Sequence, residues 1–314
     1  MSKRLVFSFF AILLSVCAPA QETQTDYNFL RLPVSAHVAA LGGDNVTITD
    51  DDASLLFSNP ALLMGVSARS LNLDFMTYMS GTKLGSAAYA LAVGKRGMLA
   101  FDGQFIDYGQ LRETTADNVE TGTFAVRDMA LGATFAYNLT NRLSGGVTGK
   151  VVHSHIGSYN SLAMGVDLGL NYYNDDSGLS LSAVARNLGG QLKAYDDDYE
   201  AMPFDLQVGV SQRLGNAPLR PSVVLKDLTD WKTYKSLVNH LVVGLDVFIG
   251  ESIYVAAGYN FRRAKDMTLV DEKSHGAGWS FGGGLQLERF KLQVAYARYH
   301  VSTASLLASV SYAF

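Results

Sequence analysis

Cysteine is almost missing from this chain: Cys17 is the only one in 314 residues. It lies in an opening that begins with the basic Lys3 and Arg4, continues with an apolar run from Leu5 to Val16, and ends in Ala18-Pro19-Ala20. That is the pattern of a signal peptide over residues 1–20, removed after the small-x-small triplet. Cleavage there leaves no thiol, which excludes disulfides, thiolate metal sites and cysteine nucleophiles from the mature protein. The other reading of Cys17, as a lipoprotein acceptor, is disfavoured by Val16, because Gly or Ala usually precedes such a cysteine. Charge of one sign is lacking too: 25 Lys and Arg against 29 Asp and Glu give a net charge of -4. A nucleic-acid partner would need a basic face. Proline is scarce, at six, and beyond the leader no run of about 18 apolar residues exists to cross a bilayer as a helix.

What the chain has instead is glycine, aromatics and alternation. It carries 30 Gly, 16 Phe and 16 Tyr. From residue 67 onward about fourteen runs alternate apolar and small or polar residues: 69–78, 86–94, 98–107, 128–138, 143–153, 162–172, 179–187, 204–212, 219–226, 240–249, 252–261, 278–287, 290–299 and 305–314. Successive side chains of a strand point to opposite faces. In 162–172, Leu162, Met164, Val166, Leu168, Leu170 and Tyr172 therefore share one face, and Gly165, Asp167, Gly169 and Asn171 the other. An apolar outer face, a polar inner face and an even strand number describe a transmembrane β-barrel of the outer-membrane type. The connections agree: every second one is terse, as at Lys95-Arg96-Gly97 and Gly250-Glu251, while the long ones (109–127, 188–203, 227–239 and 262–277) all fall on the other side. Short turns belong in the periplasm, so both termini are expected there. Tyr78, Tyr137, Tyr172, Tyr259, Trp279 and Tyr299 sit near strand ends, where aromatic girdles form. The final strand, with Tyr312 and the terminal Phe314 on its apolar face, has the look of a C-terminal assembly signal.

Residues 21–66 do not alternate. Their small apolar residues, such as Ala36, Val38, Ala39, Ala40 and Leu41, favour burial as a plug inside the barrel, with Asn59-Pro60-Ala61 as the turn that leads into it. The expected fold is thus all-β, about fourteen antiparallel strands over 67–314 closed around an N-terminal plug over 21–66. Parity directs Asp74, Asp102, Lys150, Asp167, Arg186, Arg220, Lys226, Asp246 and Arg298 into the lumen. There they either pair with each other and with the plug, the favoured reading, or line an aqueous pore.

No catalytic, cofactor or metal set emerges. Gly278-Trp279-Ser280-Phe281-Gly282 matches a nucleophile-elbow pattern, but Ser280 lies in a glycine-rich strand with no helix after it, as that motif requires. His153 and His155 share a strand face without a third metal ligand at suitable spacing. Asp196-Asp197-Asp198 lacks the alternating oxygen ligands and turn glycine of a calcium loop.

A plug with Asn-Pro-Ala ahead of such a barrel resembles the FadL superfamily of outer-membrane proteins. Within it, Asn28-Phe29-Leu30-Arg31-Leu32-Pro33, Ser35-Ala36, Ala39-Ala40-Leu41-Gly42-Gly43, Phe57-Ser58-Asn59-Pro60-Ala61-Leu62-Leu63 and Ala185-Arg186-Asn187-Leu188-Gly189 look like the PorQ and PorV group of the Bacteroidetes type IX secretion system. That resemblance implies a non-enzymatic outer-membrane subunit without cofactors. It would anchor a PorZ-like surface protein, beside PorU and PorV, in the attachment complex that links secreted cargo to lipopolysaccharide. The alternative is a FadL-like channel for uptake of hydrophobic small molecules, although the chain is compact for one.

Overall fold

The structure, a computed structural model, describes residues 25, 27–117, 119–231, 233–267, 276–300 and 303–314. The leader read over residues 1–20 lies outside the described residues. No described helix is long and apolar enough to cross a membrane. Fourteen antiparallel strands close into one barrel, each bonded to its sequence neighbours, and β1 (Ser70–Thr77) and β14 (Ser305–Ala313) complete the ring. The closing register runs from Ser70 opposite Ala313 to Met76 opposite Leu307. Closure leaves the sheet without an open edge, the condition for a strand wall in a medium that cannot hydrogen-bond the backbone.

Between these lie β2 (Lys83–Val93), β3 (Gly97–Thr114), β4 (Glu120–Asn138), β5 (Leu143–Ile156), β6 (Tyr159–Asn174), β7 (Leu179–Lys193) and β8 (Asp205–Gln212). The ring continues with β9 (Leu219–Leu225), β10 (Leu241–Ile249), β11 (Ile253–Asn260), β12 (Trp279–Gln286) and β13 (Phe290–Ala297). Period-two alternation decides which side chain meets which solvent. In β6, Met164, Val166, Leu168 and Leu170 are exposed on the outside, and Gly165, Asp167, Gly169 and Asn171 are buried within. The outer surface also carries Leu73, Phe75, Phe101, Leu131, Val294 and Leu306, an apolar coat suited to lipid.

The wall is not of even height. β3 and β4 run on past residues 107 and 128, where sequence alternation suggests a loop from 109 to 127, and their pairing reaches Thr114 opposite Glu120. The extension pairs Gln110 with Ala125 and Arg112 with Thr123 after a bulge at the rim, where Gly109 adopts a positive φ of +80°. Above the lipid both faces of a ribbon meet water, so the apolar contrast that marks a strand fades while the pairing continues. β7 likewise extends to Lys193, into the segment read as a loop from residue 188.

Residues 27–66 fill the lumen. They form short 3-10 turns at Asn28–Arg31, Ala53–Phe57 and Pro60–Gly65 and one short helix, α1 (Ala36–Ala40). Gly42 and Gly43, with φ of +108° and +93°, end α1 and return the chain: Gly43 N donates to Val38 O at 3.0 Å. Tyr27, Phe29, Leu41, Leu55 and Leu62 pack against the inward Met76, Leu84 and Ile106 of the wall, and Leu56, Leu63 and Val66 against Ala88, Ala90, Met98 and Ala136. The core of this protein is therefore the contact between plug and wall.

Candidate functional site

The inner wall is built to receive the plug at close range. A Cβ placed on Gly169 would lie 2.0 Å from Asn59 Oδ1, and one on Gly146 would lie 2.4 Å from the Pro60 carbonyl carbon. Inward glycines therefore let the Asn59-Pro60-Ala61 turn sit against β5 and β6. Asn59 uses its whole amide there: Oδ1 accepts from Ala61 N at 3.0 Å, and Nδ2 donates to Val46 O at 3.1 Å and to Leu170 O at 3.3 Å. Pro60 opens the following turn, where a missing N–H costs nothing. On the opposite side α1 lies against β11 to β14. Ser280 Oγ donates to Ala40 O at 3.1 Å, Ala36 N donates to Ser309 Oγ at 3.0 Å, and Asn260 Nδ2 donates to Gly42 O at 3.2 Å. Ser280 is thus a buried wall residue holding a plug carbonyl.

Charge fixes the plug at three heights. At the first, the α1 residue His37 is sunk among wall groups. Its Nε2 lies 2.7 Å from Asp246 Oδ1, and its ring stacks on Tyr254 with centroids 4.1 Å apart. Nδ1 stands 3.2 Å from Asp50 Oδ2 without forming a hydrogen bond. Arg220 of β9 completes the set: Nη1 and Nη2 donate to the two oxygens of Asp50 at 2.7 and 3.0 Å, and Nε donates to Asp246 Oδ2 at 2.8 Å. Burial works to lower the His37 pKa, but the charges of Asp246 and Asp50 outweigh it and leave the group raised. Burial likewise opposes charge on Asp50, yet Arg220, Lys291 and His37 hold its carboxyl well below the usual carboxylate range. With imidazolium present the cluster balances two positive against two negative groups.

At the second height, Lys226 Nζ pairs with Asp44 of the plug at 2.7 Å, Arg31 of the plug reaches Asp227 at 3.3 Å, and Arg262 also bonds Asp227. Arg262 lies in the first turn of the short helix α2 (Phe261–Asp266), whose Arg263 donates to the backbone oxygens of Gly42, Ala277 and Gly278. At the third, Lys150 Nζ pairs with Asp167 and donates to Asn187 Oδ1, both at 2.7 Å, while Arg186 Nη2 donates to Leu30 O at 2.9 Å.

Two other inward carboxylates find neutral partners. Asp74 accepts from Asn72, Ser86 and Ser309, and Asp102 from Thr134 at 3.3 Å. Arg298 departs from the inward expectation. It shares the parity of Phe290, Leu292, Val294 and Tyr296, which are the exposed residues of β13, so the alternation of that strand carries it outward, and it lines an outer cleft with Trp279, Phe281 and Tyr296. Tyr312 and Phe314 meet edge to face at 4.8 Å near the opposite rim, and Phe290 packs on Tyr312 at 4.7 Å.

Sequence reading missed His37, Asp44, Asp50 and Asp227 as functional positions. Asp50-Asp51-Asp52 is visible as an acidic knot, but the fold separates the three carboxylates. Asp50 takes Arg220, Asp51 accepts from Ser67 N at 2.7 Å, and Asp52 caps the 3-10 turn through Ser54 N at 2.9 Å. His153 faces outward in β5, and among the described residues no group of three metal-ligating side chains converges.

Two spaces lie between plug and wall. A cavity of about 20 Å³ lies among Leu30, Leu56, Phe57, Asp102, Lys150 and Arg186, room for about one water, and a wider cleft of about 310 Å³ is bordered by Arg31, Asp44, Lys226, Arg262 and Tyr299.

No protein-family model and no curated protein sequence matches the chain. Among solved structures it is similar to the Pseudomonas putida toluene transporter TodX, at a TM-score of 0.59 and 15% identity over 90% of this chain and 98% of that one. The monoaromatic hydrocarbon channel CymD gives 0.58 at 12% identity, covering 90% and 97%. A Pseudomonas aeruginosa FadL homologue gives 0.52 at 10% identity, covering 89% and 98%. The likeness is one of fold: a closed fourteen-strand antiparallel barrel of the FadL type.

Proposed function

We propose that this chain is a FadL-like outer-membrane channel for small hydrophobic molecules, held shut by its own N-terminal segment. The observation that carries the reading is the fold likeness, over nine-tenths of the chain, of this fourteen-strand barrel to a toluene transporter and a monoaromatic hydrocarbon channel. Short turns face the periplasm, both termini lie there, and the tall hairpins face outward. With the lumen filled, passage requires the plug to shift, and the side-chain pairs at its three heights are what it must release. Proteoliposomes carrying the purified barrel should take up radiolabelled toluene or a long-chain fatty acid faster than empty liposomes. No uptake of either by correctly folded protein overturns the reading.

A second reading is favoured by the plug packed against the wall and by the β3–β4 ribbon that rises past its neighbours. On it the barrel is a non-enzymatic anchor of a type IX secretion system, PorQ-like, holding a PorZ-like surface protein near PorU and PorV. The supporting features are the opening motif from Asn28 to Gly43 and a plug cross-linked at many points. Deletion in the host should then abolish surface attachment of secreted cargo, and intact attachment would remove this reading while leaving the uptake assay to decide the first.

A further inference from the structure

The outer face of β12 and β13 carries an aromatic shelf at the rim where α2 lies. Trp279 and Phe281 stack with their planes 5° apart and centroids 5.9 Å apart, and Tyr259 meets Trp279 edge-on at 5.1 Å. Tyr296 stands opposite Phe281 across the β12–β13 ladder. With Gly276 and Arg298 these side chains border an open cleft of about 400 Å³ on the lipid side of the wall. Trp and Tyr at a barrel rim mark the depth of the lipid headgroups, with apolar ring bodies toward the acyl chains and polar edges toward water.

Arg298 makes this more than a girdle. Among the described residues it has no ion-pair, hydrogen-bond or ring partner, unlike Arg142, which is 2.7 Å from Asp176, or Arg213, which lies 4.3 Å above the Phe248 ring. The Trp279 indole N–H and the Tyr296 hydroxyl are equally without hydrogen-bond partners among the described residues. A guanidinium beside an apolar shelf is strongly favoured by an anion presented at the same depth, and phosphate accepts its two parallel N–H groups. The occupant of a lipid-facing surface is lipid.

We propose that this cleft binds a phosphorylated membrane lipid, its phosphate on Arg298 with help from the Tyr296 and Trp279 donors, and the upper part of an acyl chain along Trp279 and Phe281. The site lies on the wall exterior, so it is independent of the plug and of whether the lumen transports.

Native mass spectrometry of the detergent-solubilised full chain, titrated with phosphatidylglycerol or with diacylglycerol of the same acyl chains, tests this. The wild type should retain one phosphatidylglycerol in preference to diacylglycerol. Arg298→Ala should weaken that retention about tenfold, with Arg298→Lys between the two. Trp279→Ala should weaken both lipids. Arg142→Ala should change neither, since the Arg142 guanidinium already pairs with Asp176 at 2.7 Å. A heat-dependent gel shift verifies that each variant is a folded barrel, and Arg298→Gln replaces any that is not. Equal retention by the folded Arg298 variants, or equal binding of diacylglycerol by the wild type, overturns the proposal.

Discussion

His37 is the residue on which the plug turns, because among the described plug residues it is the one side chain that both stacks on the wall and touches two carboxylates. An imidazole whose pKa is raised on folding contributes its full stabilisation below its ordinary value of 6.5 and loses it as pH rises through the raised one. Asp50 works the other way: lowered on folding, it contributes above its ordinary 3.8 and loses that contribution as pH falls through the lowered value. The plug should therefore be held most firmly in mildly acidic solution, up to about pH 6.5, and loosen as pH rises beyond that through the raised value. Amide exchange of residues 36–41 across pH reads this directly, and His37→Gln should flatten that falling limb. Arg220 is the more costly loss. Arg220→Ala takes from Asp50 and Asp246 the guanidinium that bridges them, and removing one member of a buried ion cluster costs about 3–5 kcal/mol. Urea unfolding of the detergent-solubilised barrel should show it, with Arg220→Lys intermediate because it keeps the charge but not the bidentate geometry.

At the scale of elements, most of the wall is legible from alternation, because one side meets lipid and the other meets the plug. The run 219–226 becomes β9 (Leu219–Leu225), and 290–299 becomes β13, ending at Ala297. Where that contrast stops, so does legibility: β3 and β4 pass unseen above the rim. Arg298 is a different case, since its outward place follows from the alternation of Phe290, Leu292, Val294 and Tyr296 and is legible there. The burial of Ala36 to Leu41 shows in their composition, yet the partners of the plug do not, since His37 and Asp246 are 209 positions apart and nothing local couples them. Glycine is the overlooked signal. Gly146, Gly169, Gly258 and Gly282 are inward wall positions where a Cβ would lie 2.0–2.6 Å from plug atoms, so glycine on an inner face marks where the plug touches. Gly169→Val should thus expel the Asn59-Pro60-Ala61 turn while leaving the outward face of β6 untouched. The expected result is a barrel that still shows its heat-dependent gel shift but whose residues 44–66 become open to protease.

For the whole molecule, plug and wall form one core, and that sets what happens when they are separated. The wall's backbone is satisfied around the ring without the plug, because every strand bonds to two neighbours. Its inward side chains are chiefly small or polar: Asn72, Thr134, Asp246, Ser280 and Gln293 would meet water on release, and water can hydrogen-bond them all. The apolar patch around Met76, Leu84 and Ile106 would lose its cover. A chain lacking residues 27–66 should therefore insert as a closed ring with a lower unfolding temperature than the full chain, and with a wet lumen. In planar bilayers the full chain should be silent, and the truncated one should pass ion currents at least roughly tenfold above it, as a water-filled barrel does. Truncated protein that inserts, shows the gel shift and stays silent would mean that the wall collapses inward, and that the plug shapes the barrel as well as stopping it.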